Sequence, residues 1–162
     1  MKTILITGGL GFIGRHVAAA LVSQGFEVIL FDNLSAQIHG DLPRLDSLAL
    51  LQNASIRVIR GDVRSRSDWQ RVLLDADCVV HLAAETGTAQ SMYEIHRYTE
   101  ANVGGTALML DLLANHGHKV KKLVLASSRS VYGEGAYHCS SCGTVYPSAR
   151  SEQAMLKGVD RK

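Results

Sequence analysis

Glycines spaced for a tight, ligand-accepting turn lie near the start of the chain. A short apolar run at residues 3–7 leads into a glycine-rich segment at residues 8–14. Gly9 and Gly11 would let the backbone turn tightly and approach a diphosphate, and Gly14 would let the next helix pack close to the strand. The free amide groups and positive dipole end of that helix favour phosphate. This order of features is the dinucleotide-binding fingerprint.

An acidic residue follows at the end of the second predicted strand. Asp32 lies 18 residues after Gly14, close to the spacing of about 20 that the fingerprint expects. A carboxylate there would accept hydrogen bonds from both ribose hydroxyls and repel a 2′-phosphate, which favours NAD over NADP. The alternative for Asp32 is a turn residue or helix cap.

Two further strand ends carry small or acidic residues. Gly61-Asp62-Val63 follows the third predicted strand, where it would line an adenine pocket or, alternatively, form a helix-entry turn. Leu82-Ala83-Ala84 follows the fourth, and these residues would let the middle of the cofactor and the nicotinamide ribose approach. His81 is interpreted as a structural histidine at a strand end.

Regular alternation of apolar runs and helical patterns predicts the elements that position these residues. The predicted strands lie near 3–7, 27–32, 55–60, 77–82 and 121–127, and the predicted helices near 12–24, 42–52, 65–74 and 91–115. Apolar runs without alternation, including Leu123–Ala126, indicate parallel strands buried on both faces. We therefore expect a Rossmann-type doubly wound α/β fold, an incomplete sheet of about five strands in the order 3-2-1-4-5.

The pattern changes after about residue 133. Residues 1–133 are expected to form an NAD-binding domain, and 134–162 an irregular, cysteine-containing insertion or tail with no sixth strand. A short helix is expected at Ser151–Leu156, with Ser151 as its cap. The C-terminal substrate domain would be absent, and the chain would stop inside a larger protein.

Composition excludes several classes of function. The chain has 162 residues, 46% of them hydrophobic, and a formal net charge of +2, which is too mild to indicate a nucleic-acid partner. It contains no apolar run of the ~18 residues that cross a membrane. Because Met1 leads directly into a strand, no signal peptide is expected and the protein is predicted to be cytoplasmic.

Ordered blocks across residues 1–133 resemble the extended short-chain dehydrogenase/reductase family, more narrowly its NAD-dependent nucleotide-sugar epimerases and dehydratases. The blocks are Thr7-Gly8-x-x-Gly11-x-x-Gly14, Asp32-Asn33, Gly61-Asp62-Val63, His81-Leu82-Ala83-Ala84, Asn102-Val103-Gly104-Gly105-Thr106 and Ser127–Gly133. The resemblance implies NAD as cofactor. The cofactor contacts it implies are Gly8, Gly11, Phe12, Ile13, Gly14, Asp32, Asn33, Asp62, Val63, Leu82, Ala83, Ala84 and Asn102.

The resemblance also implies a catalytic role for Ser128, four positions before Tyr132. Its hydroxyl would hydrogen-bond the 4-oxygen of the sugar and help move its proton; the alternative is a serine that caps the strand end. The dehydratases of the family carry Thr-Asp-Glu where this chain has Ser128-Arg129-Ser130. That difference favours epimerisation at C4, with a dehydratase or 4-reductase as the alternative.

The family's substrate-binding residues and its catalytic base are matched less completely by this sequence than its cofactor motifs are. The stretch 84–95 resembles a subgroup that acts on dTDP-6-deoxyhexoses, such as dTDP-L-rhamnose 4-epimerases. Thr86, Gln90 and Ser91 would face a nucleotide-sugar substrate, or would simply be polar residues at a helix start. The family's Tyr-x-x-x-Lys pair is absent, and Tyr146, followed by Arg150 in place of the lysine, is its nearest imitation. A non-catalytic NAD-binding module is therefore an alternative function. A homodimer through residues 91–115 is the oligomer that the family implies.

Two cysteines outside the fingerprint have the spacing of metal ligands. Cys139-x-x-Cys142-Gly143 is typical of half a zinc ribbon. A closed zinc site needs four ligands, so the pair would be completed in a longer parent chain. The alternative is a pair of loop cysteines without metal.

Overall fold

The computed structural model describes residues 2–40, 49–133, 135–148 and 151–156. The chain divides into two compact units, Met1–Ala126 and Ser127–Lys162.

A parallel sheet of five strands forms the centre of the first unit. Its strands are β1 (Thr3–Thr7), β2 (Glu27–Asp32), β3 (Ile56–Arg60), β4 (Cys78–His81) and β5 (Lys122–Leu125). They lie in the order β3-β2-β1-β4-β5, which confirms the predicted topology. Thr7 pairs in register with Phe31 on one side and with His81 on the other. The carboxyl ends of three neighbouring strands therefore meet at one edge of the sheet.

Helices and turns connect these strands. They are α1 (Phe12–Ser23), α2 (Ala36–His39), a 3₁₀ turn (Ala49–Gln52), α3 (Arg66–Leu73), a 3₁₀ turn (Gln90–Met92), α4 (Ile95–Tyr98), a π-helical segment (Thr99–Gly104) and α5 (Gly105–Asn115). Ser65 caps α3, because its hydroxyl accepts the Asp68 amide at 3.3 Å.

Two helix predictions need correction. Of the helix predicted at 42–52, residues 42–48 lie outside the described residues and 49–52 form only a 3₁₀ turn. The helix predicted at 91–115 begins at Ile95 and contains a π-helical segment. At the end of that segment Gly105 packs so tightly that an added Cβ would lie 2.9 Å from Val63 Cγ2.

Apolar side chains fill both faces of the sheet. Leu5 of β1 packs on one face with Trp69 of α3 and Met109 of α5. Ile4 and Ile6 point to the opposite face, where the core includes Ala18 of α1, Val28 and Leu30. Burial of successive residues confirms that β1 is covered on both sides.

The fifth strand differs from the prediction of burial on both faces. Val124 and Leu125 are 43% and 53% exposed. In the described part of the sheet β5 is an edge strand whose single partner is β4, so the prediction of burial for this strand is wrong.

The second unit contains small elements. They are a 3₁₀ turn (Arg129–Tyr132), β6 (Tyr137–Cys139), β7 (Gly143–Val145) and α6 (Glu152–Leu156). Strands β6 and β7 pair antiparallel as a hairpin, where the sequence predicted irregular structure, while α6 confirms the expected short helix. Across the described ranges, the structure contains no helix that is long and apolar enough to cross a membrane.

Candidate functional site

The glycine loop leaves β1 and leads directly into α1. Gly8 has a φ of +63°, so Gly8 makes the sharp turn that the sequence assigned to Gly9 and Gly11. An added Cβ at Gly9 would lie 2.8 Å from Ile6 O, and one at Gly14 would lie 2.5 Å from Gly8 O. Gly14 thus packs against the loop itself rather than against the strand.

Gly11 differs from the other loop glycines. An added Cβ there would meet only Gly8 O, at 3.1 Å, and the residue has extended backbone angles that any residue adopts. Apart from this one tight contact, its missing side chain leaves open space next to the first amides of α1. Phe12 and Ile13 follow with 74% and 61% of their surface exposed. Open space, amide donors and exposed apolar side chains together fit a dinucleotide diphosphate.

Asp32 is buried at the end of β2, with 7% of its surface exposed. Its Oδ2 accepts the Leu10 amide of the glycine loop at 3.0 Å, and its Oδ1 accepts the Leu34 amide at 2.9 Å. His39 Nε2 of α2 lies 3.3 Å from Oδ1. The turn interpretation of Asp32 therefore has support from the Leu34 bond, while the Leu10 bond joins this carboxylate to the glycine loop.

Asn33 and Asp62 meet where β2 and β3 end. Asn33 Nδ2 donates to Asp62 Oδ2 at 3.3 Å. Arg64 donates to the same carboxylate from Nε and from its terminal nitrogen, at 3.0 and 2.7 Å. These bonds from Arg64 are the main reason that the pKa of Asp62 falls to about 2. Val63 directly follows Asp62 in the sequence, and its carbonyl accepts a hydrogen bond from the indole N–H of Trp69.

A buried chain of hydrogen bonds fixes the loop after β4. The Thr7 hydroxyl accepts the amides of Leu82 and Ala83 at 3.2 and 3.0 Å, and lies 2.7 Å from His81 Nδ1. Backbone amides can only donate, so neither of them can accept the hydroxyl proton of Thr7. The Thr7 hydroxyl therefore donates its proton to Nδ1 of His81. The ring proton is then on Nε2, which is 3.2 Å from Thr106 Oγ1.

His81 is therefore neutral, and its structural interpretation is supported. Only 3% of its surface is exposed, and burial lowers the pKa of its imidazole to about 4. The Thr106 hydroxyl passes the chain on to the Asn102 carbonyl at 2.7 Å. This network joins β1 and β4 to α5 and to the π-helical segment before it. It supports the loop that carries Leu82, Ala83 and the exposed Ala84.

Asn102 clamps the same loop with its side chain. Its Oδ1 accepts the Glu85 amide at 2.8 Å, and its Nδ2 donates to the Glu85 carbonyl at 3.0 Å. Asn102 thus positions the loop, and its direct contact with cofactor stays a prediction.

A polar cluster that sequence reasoning missed joins α2 to the start of the long helix. Gln37 Nε2 donates to Gln90 Oε1 at 2.8 Å, and Arg97 donates to Gln37 and Glu85 at 2.8 and 2.9 Å. Tyr98 also donates its hydroxyl to Gln90. Gln90 is therefore occupied by protein contacts. No sequence signal links Gln37 to residues 53 positions away.

The other predicted substrate residues show local roles. Ser91 donates its hydroxyl to the Thr88 carbonyl at 2.7 Å, as expected for a polar residue near a helix start. Thr86 is exposed on the loop after β4. Their contact with substrate stays a prediction.

Ser128 lies in the second unit, immediately before the 3₁₀ turn. Its Oγ accepts the Ser130 amide at 3.1 Å, so it caps that turn rather than the strand, and its own proton remains available to donate. Tyr132 and Tyr146 are 83% and 79% exposed. Tyr146 follows β7 in a segment without regular secondary structure, while Arg150 lies outside the described residues.

Cys139 and Cys142 are free thiols at the end of the hairpin. The amide of Ser141, then the side chain and amide of Cys142, lower the pKa of the Cys139 thiol. Within the described ranges, no group of three or more potential ligands is placed to hold a metal ion.

The structure thus gathers the strand-end residues Gly8, Asp32, Asn33, Asp62 and Ala83 at one edge of the parallel sheet. The chain matches the NAD dependent epimerase/dehydratase family over residues 4–155. The chain belongs to this family. The resemblance seen in the sequence is therefore confirmed, and so is the Rossmann-type fold.

Similar proteins of this epimerase/dehydratase family are 4-epimerases. A dTDP-L-rhamnose 4-epimerase of Burkholderia thailandensis is 40% identical over 156 residues, which are 95% of this chain and 42% of the relative. A UDP-N-acetylglucosamine 4-epimerase from Methanobrevibacter ruminantium M1, in complex with UDP-N-acetylmuramic acid, superposes with a TM-score of 0.68 at 32% identity, covering 83% of this chain and 40% of that structure.

A third member of the family shows a bound cofactor. A UDP-glucose 4-epimerase from Bifidobacterium longum, in complex with NAD⁺ and UDP, superposes with a TM-score of 0.68 at 30% identity, over 82% of this chain and 38% of that structure. The present chain therefore spans about two fifths of the length of these relatives.

Proposed function

We propose that this chain carries the NAD-binding part of an enzyme that epimerises C4 of a nucleotide-activated 6-deoxyhexose. The observation that supports it most is the hydrogen bond of 3.0 Å between Asp32 Oδ2 and the Leu10 amide. This bond places a carboxylate beside a glycine loop with open space at Gly11, which is the arrangement that an adenosine diphosphate needs.

Different residues of the first unit would contact different parts of the cofactor. The first amides of α1 would bind the diphosphate at Gly11, and Asp32 would accept the ribose hydroxyls. Asn33, Asp62 and Val63 would lie by the adenine, and Ala83 by the nicotinamide ribose. NAD, when bound, supplies a hydride acceptor and donor for C4 of the sugar.

Ser128 would hydrogen-bond the 4-oxygen of the sugar and help to move its proton. Its Oγ accepts the Ser130 amide, and the proton of its own hydroxyl would point to the sugar oxygen. The second candidate function is an NAD-binding module without turnover; the Tyr-x-x-x-Lys pair of the family does not occur within these 162 residues.

The sugar is proposed from sequence similarity and residue placement. The relative with 40% identity acts on dTDP-L-rhamnose by its name, and Thr86, Gln90 and Ser91 are the residues we assign to the substrate side. Ser128-Arg129-Ser130 in place of Thr-Asp-Glu favours epimerisation over the dehydratase or 4-reductase alternative. A cytoplasmic location suits three cysteines without a disulfide.

Calorimetry with NAD⁺ and NADP⁺ tests the binding half of the proposal, and we expect heat from NAD⁺ with much weaker binding of NADP⁺. Incubation with NAD⁺ and dTDP-L-rhamnose or UDP-glucose, followed by NMR of the sugar, tests catalysis. Inversion at C4 supports the epimerase, and binding without turnover supports the module. Loss of the C6 hydroxyl of UDP-glucose would indicate a dehydratase. Net reduction of NAD⁺ to NADH, with a 4-keto sugar as the product, would indicate a 4-reductase running in reverse. No binding of NAD⁺ to folded protein would refute both candidate functions.

A further inference from the structure

Helix α2 is joined by side-chain hydrogen bonds to the segment that follows β4. Gln37 of α2 and Gln90 exchange two bonds, from Gln37 Nε2 to Gln90 Oε1 at 2.8 Å and from Gln90 Nε2 to Gln37 Oε1 at 3.2 Å. Arg97 of α4 donates a third bond to the same Gln37 oxygen, at 2.8 Å. We call these three side chains the strap.

The strap crosses the carboxyl edge of the sheet at the position of the glycine loop. Helix α2 follows β2 and Gln90 follows β4, whereas β1, which leads into the glycine loop, lies between those two strands. Leu34, two residues before α2, packs on the face of the sheet that α1 covers, and Met109 of α5 packs on the opposite face. The strap therefore joins the two sides of the crevice at the carboxyl edge, which is where open parallel sheets bind their ligands.

The two ends of the strap are anchored unequally. Gln90 also bonds to Glu94 and Tyr98, each at 2.8 Å. Arg97 is paired with Glu85 at 2.9 Å. Helix α2 instead has four residues, none of them buried, and its N-terminus has no side-chain cap. Because segments with few buried contacts open at the lowest cost in free energy, α2 is the side that moves when the strap opens.

Helix α2 also reaches the carboxylate that we assign to the ribose. His39 Nε2 of α2 lies 3.3 Å from Asp32 Oδ1. A dinucleotide with its diphosphate at Gly11 and its ribose at Asp32 would lie in the crevice that the strap closes. Its entry and exit would require Gln37 to leave its partners.

We propose that the strap of Gln37, Gln90 and Arg97 closes over bound NAD and limits the rates of cofactor entry and exit. The inference rests on the proposed NAD-binding function. Gln37 acts through its bonds to Gln90 and Arg97 and makes no contact with the cofactor. A strap that closes equally over the empty and the loaded site slows association and dissociation by the same factor, so it leaves the dissociation constant unchanged.

Stopped-flow measurement of NADH exchange tests the inference. Energy transfer from Trp69, the single tryptophan of the sequence, to NADH reports association, and displacement of bound NADH by excess NAD⁺ reports dissociation. Gln37→Ala removes all three bonds of the strap, so it should raise both rate constants about tenfold, equivalent to 1.4 kcal/mol. The dissociation constant should change by less than about twofold. Gln70→Ala, at an exposed glutamine of α3, should leave both rate constants unchanged.

A double variant shows whether the effect belongs to the strap. Gln37→Ala combined with Gln90→Ala should exchange NADH no faster than Gln37→Ala alone, since both substitutions break the same amide pair, and additive effects would contradict the strap. Thermal unfolding followed by circular dichroism checks that each variant is folded.

The remaining outcomes separate the strap from the proposed function. Faster dissociation without faster association would make Gln37 a direct ligand of the cofactor and would overturn the strap. NADH binding with exchange rates that Gln37→Ala leaves unchanged would also overturn the strap, but not the cofactor site. If the folded parent chain does not bind NADH, the proposed cofactor site is refuted together with the strap.

Discussion

Replacing His81 with glutamine tests the buried network under the loop after β4. Because the imidazole is neutral in the folded chain and its pKa falls to about 4, the unfolded chain takes up the proton first, at its ordinary value near 6.5. The free energy of unfolding therefore rises with pH between 4 and 6.5. The stabilisation that comes from keeping this imidazole neutral is fully present above pH 6.5 and is lost as the pH falls towards 4. The difference between the two pKa values corresponds to roughly 3 kcal/mol.

The structure also indicates how much stability the His81→Gln variant loses at neutral pH. Glutamine leaves the Thr7 hydroxyl without the acceptor that lies 2.7 Å away at Nδ1, which costs about 1–3 kcal/mol for a buried donor. The variant should therefore be less stable than the parent at neutral pH. Between pH 6.5 and pH 4, the variant should also lose roughly 3 kcal/mol less stability than the parent.

Urea unfolding followed by Trp69 fluorescence measures both effects. Trp69 is fully buried, and its ring centroid lies 5.7 Å from that of His81, so its emission reports unfolding of the first unit. Circular dichroism controls for quenching by a protonated imidazole. His118→Gln, at an exposed histidine, should keep the acid sensitivity of the parent. Parallel pH profiles for the parent and His81→Gln would refute the assignment of a buried neutral imidazole.

Four further substitutions test the cofactor site and its support. Asp32→Ala should weaken NAD⁺ binding by about 1–3 kcal/mol through the loss of charge-assisted bonds, and an unchanged dissociation constant in calorimetry would remove Asp32 from the site. Gly11→Val should fold but lose NAD⁺ binding, because its side chain enters the open space next to the first amides of α1. Retained binding by this variant would place the ligand elsewhere. Gly14→Ala should instead lower the melting temperature, since its Cβ meets the Gly8 carbonyl at 2.5 Å. Asn102→Ala should raise hydrogen exchange at the Glu85 amide at least about tenfold, equivalent to 1.4 kcal/mol, whereas unchanged protection would contradict its role as a clamp.

The parallel sheet could be predicted because its local signals agree. Val28–Phe31 is an unbroken apolar run, and the structure buries every residue of it. The glycine-rich turn after β1 and the acidic residue at the end of β2 mark where these strands end. Strand order then follows from handedness and short connections.

Elements that lack a repeating pattern could not be predicted in the same way. Helix α2 contains four residues, which is about one turn and too short for an apolar periodicity to show. Strands β6 and β7 contain three residues each, so alternation between faces has no room to appear. Cys142-Gly143 was interpreted as a metal-binding turn or as part of a loop without metal, although the same glycine is also a hairpin signal.

Side-chain roles that depend on distant contacts were also beyond the sequence. The contact of Asn102 with the cofactor stays a prediction, but the bonds of both its amide atoms to Glu85, 17 positions away, had no signal in the sequence. Thr7 was recognised only as part of a motif, although its hydroxyl organises the loop after β4. A residue type and its position in a motif predict the location of a side chain better than they predict its partners.

The two units differ in how firmly they hold their proposed chemistry. Asp32 is fixed by two backbone bonds inside a packed sheet, so the cofactor side is preorganised before any ligand arrives. Ser128 has one bond to a neighbouring amide in a unit whose described residues include no buried side chain. Catalytic groups need placement to within about 0.5 Å, so Ser128 requires an added contact from bound substrate. Hydrogen exchange at residues 128–132 should therefore slow when nucleotide sugar binds, and unchanged exchange would contradict a substrate contact at Ser128.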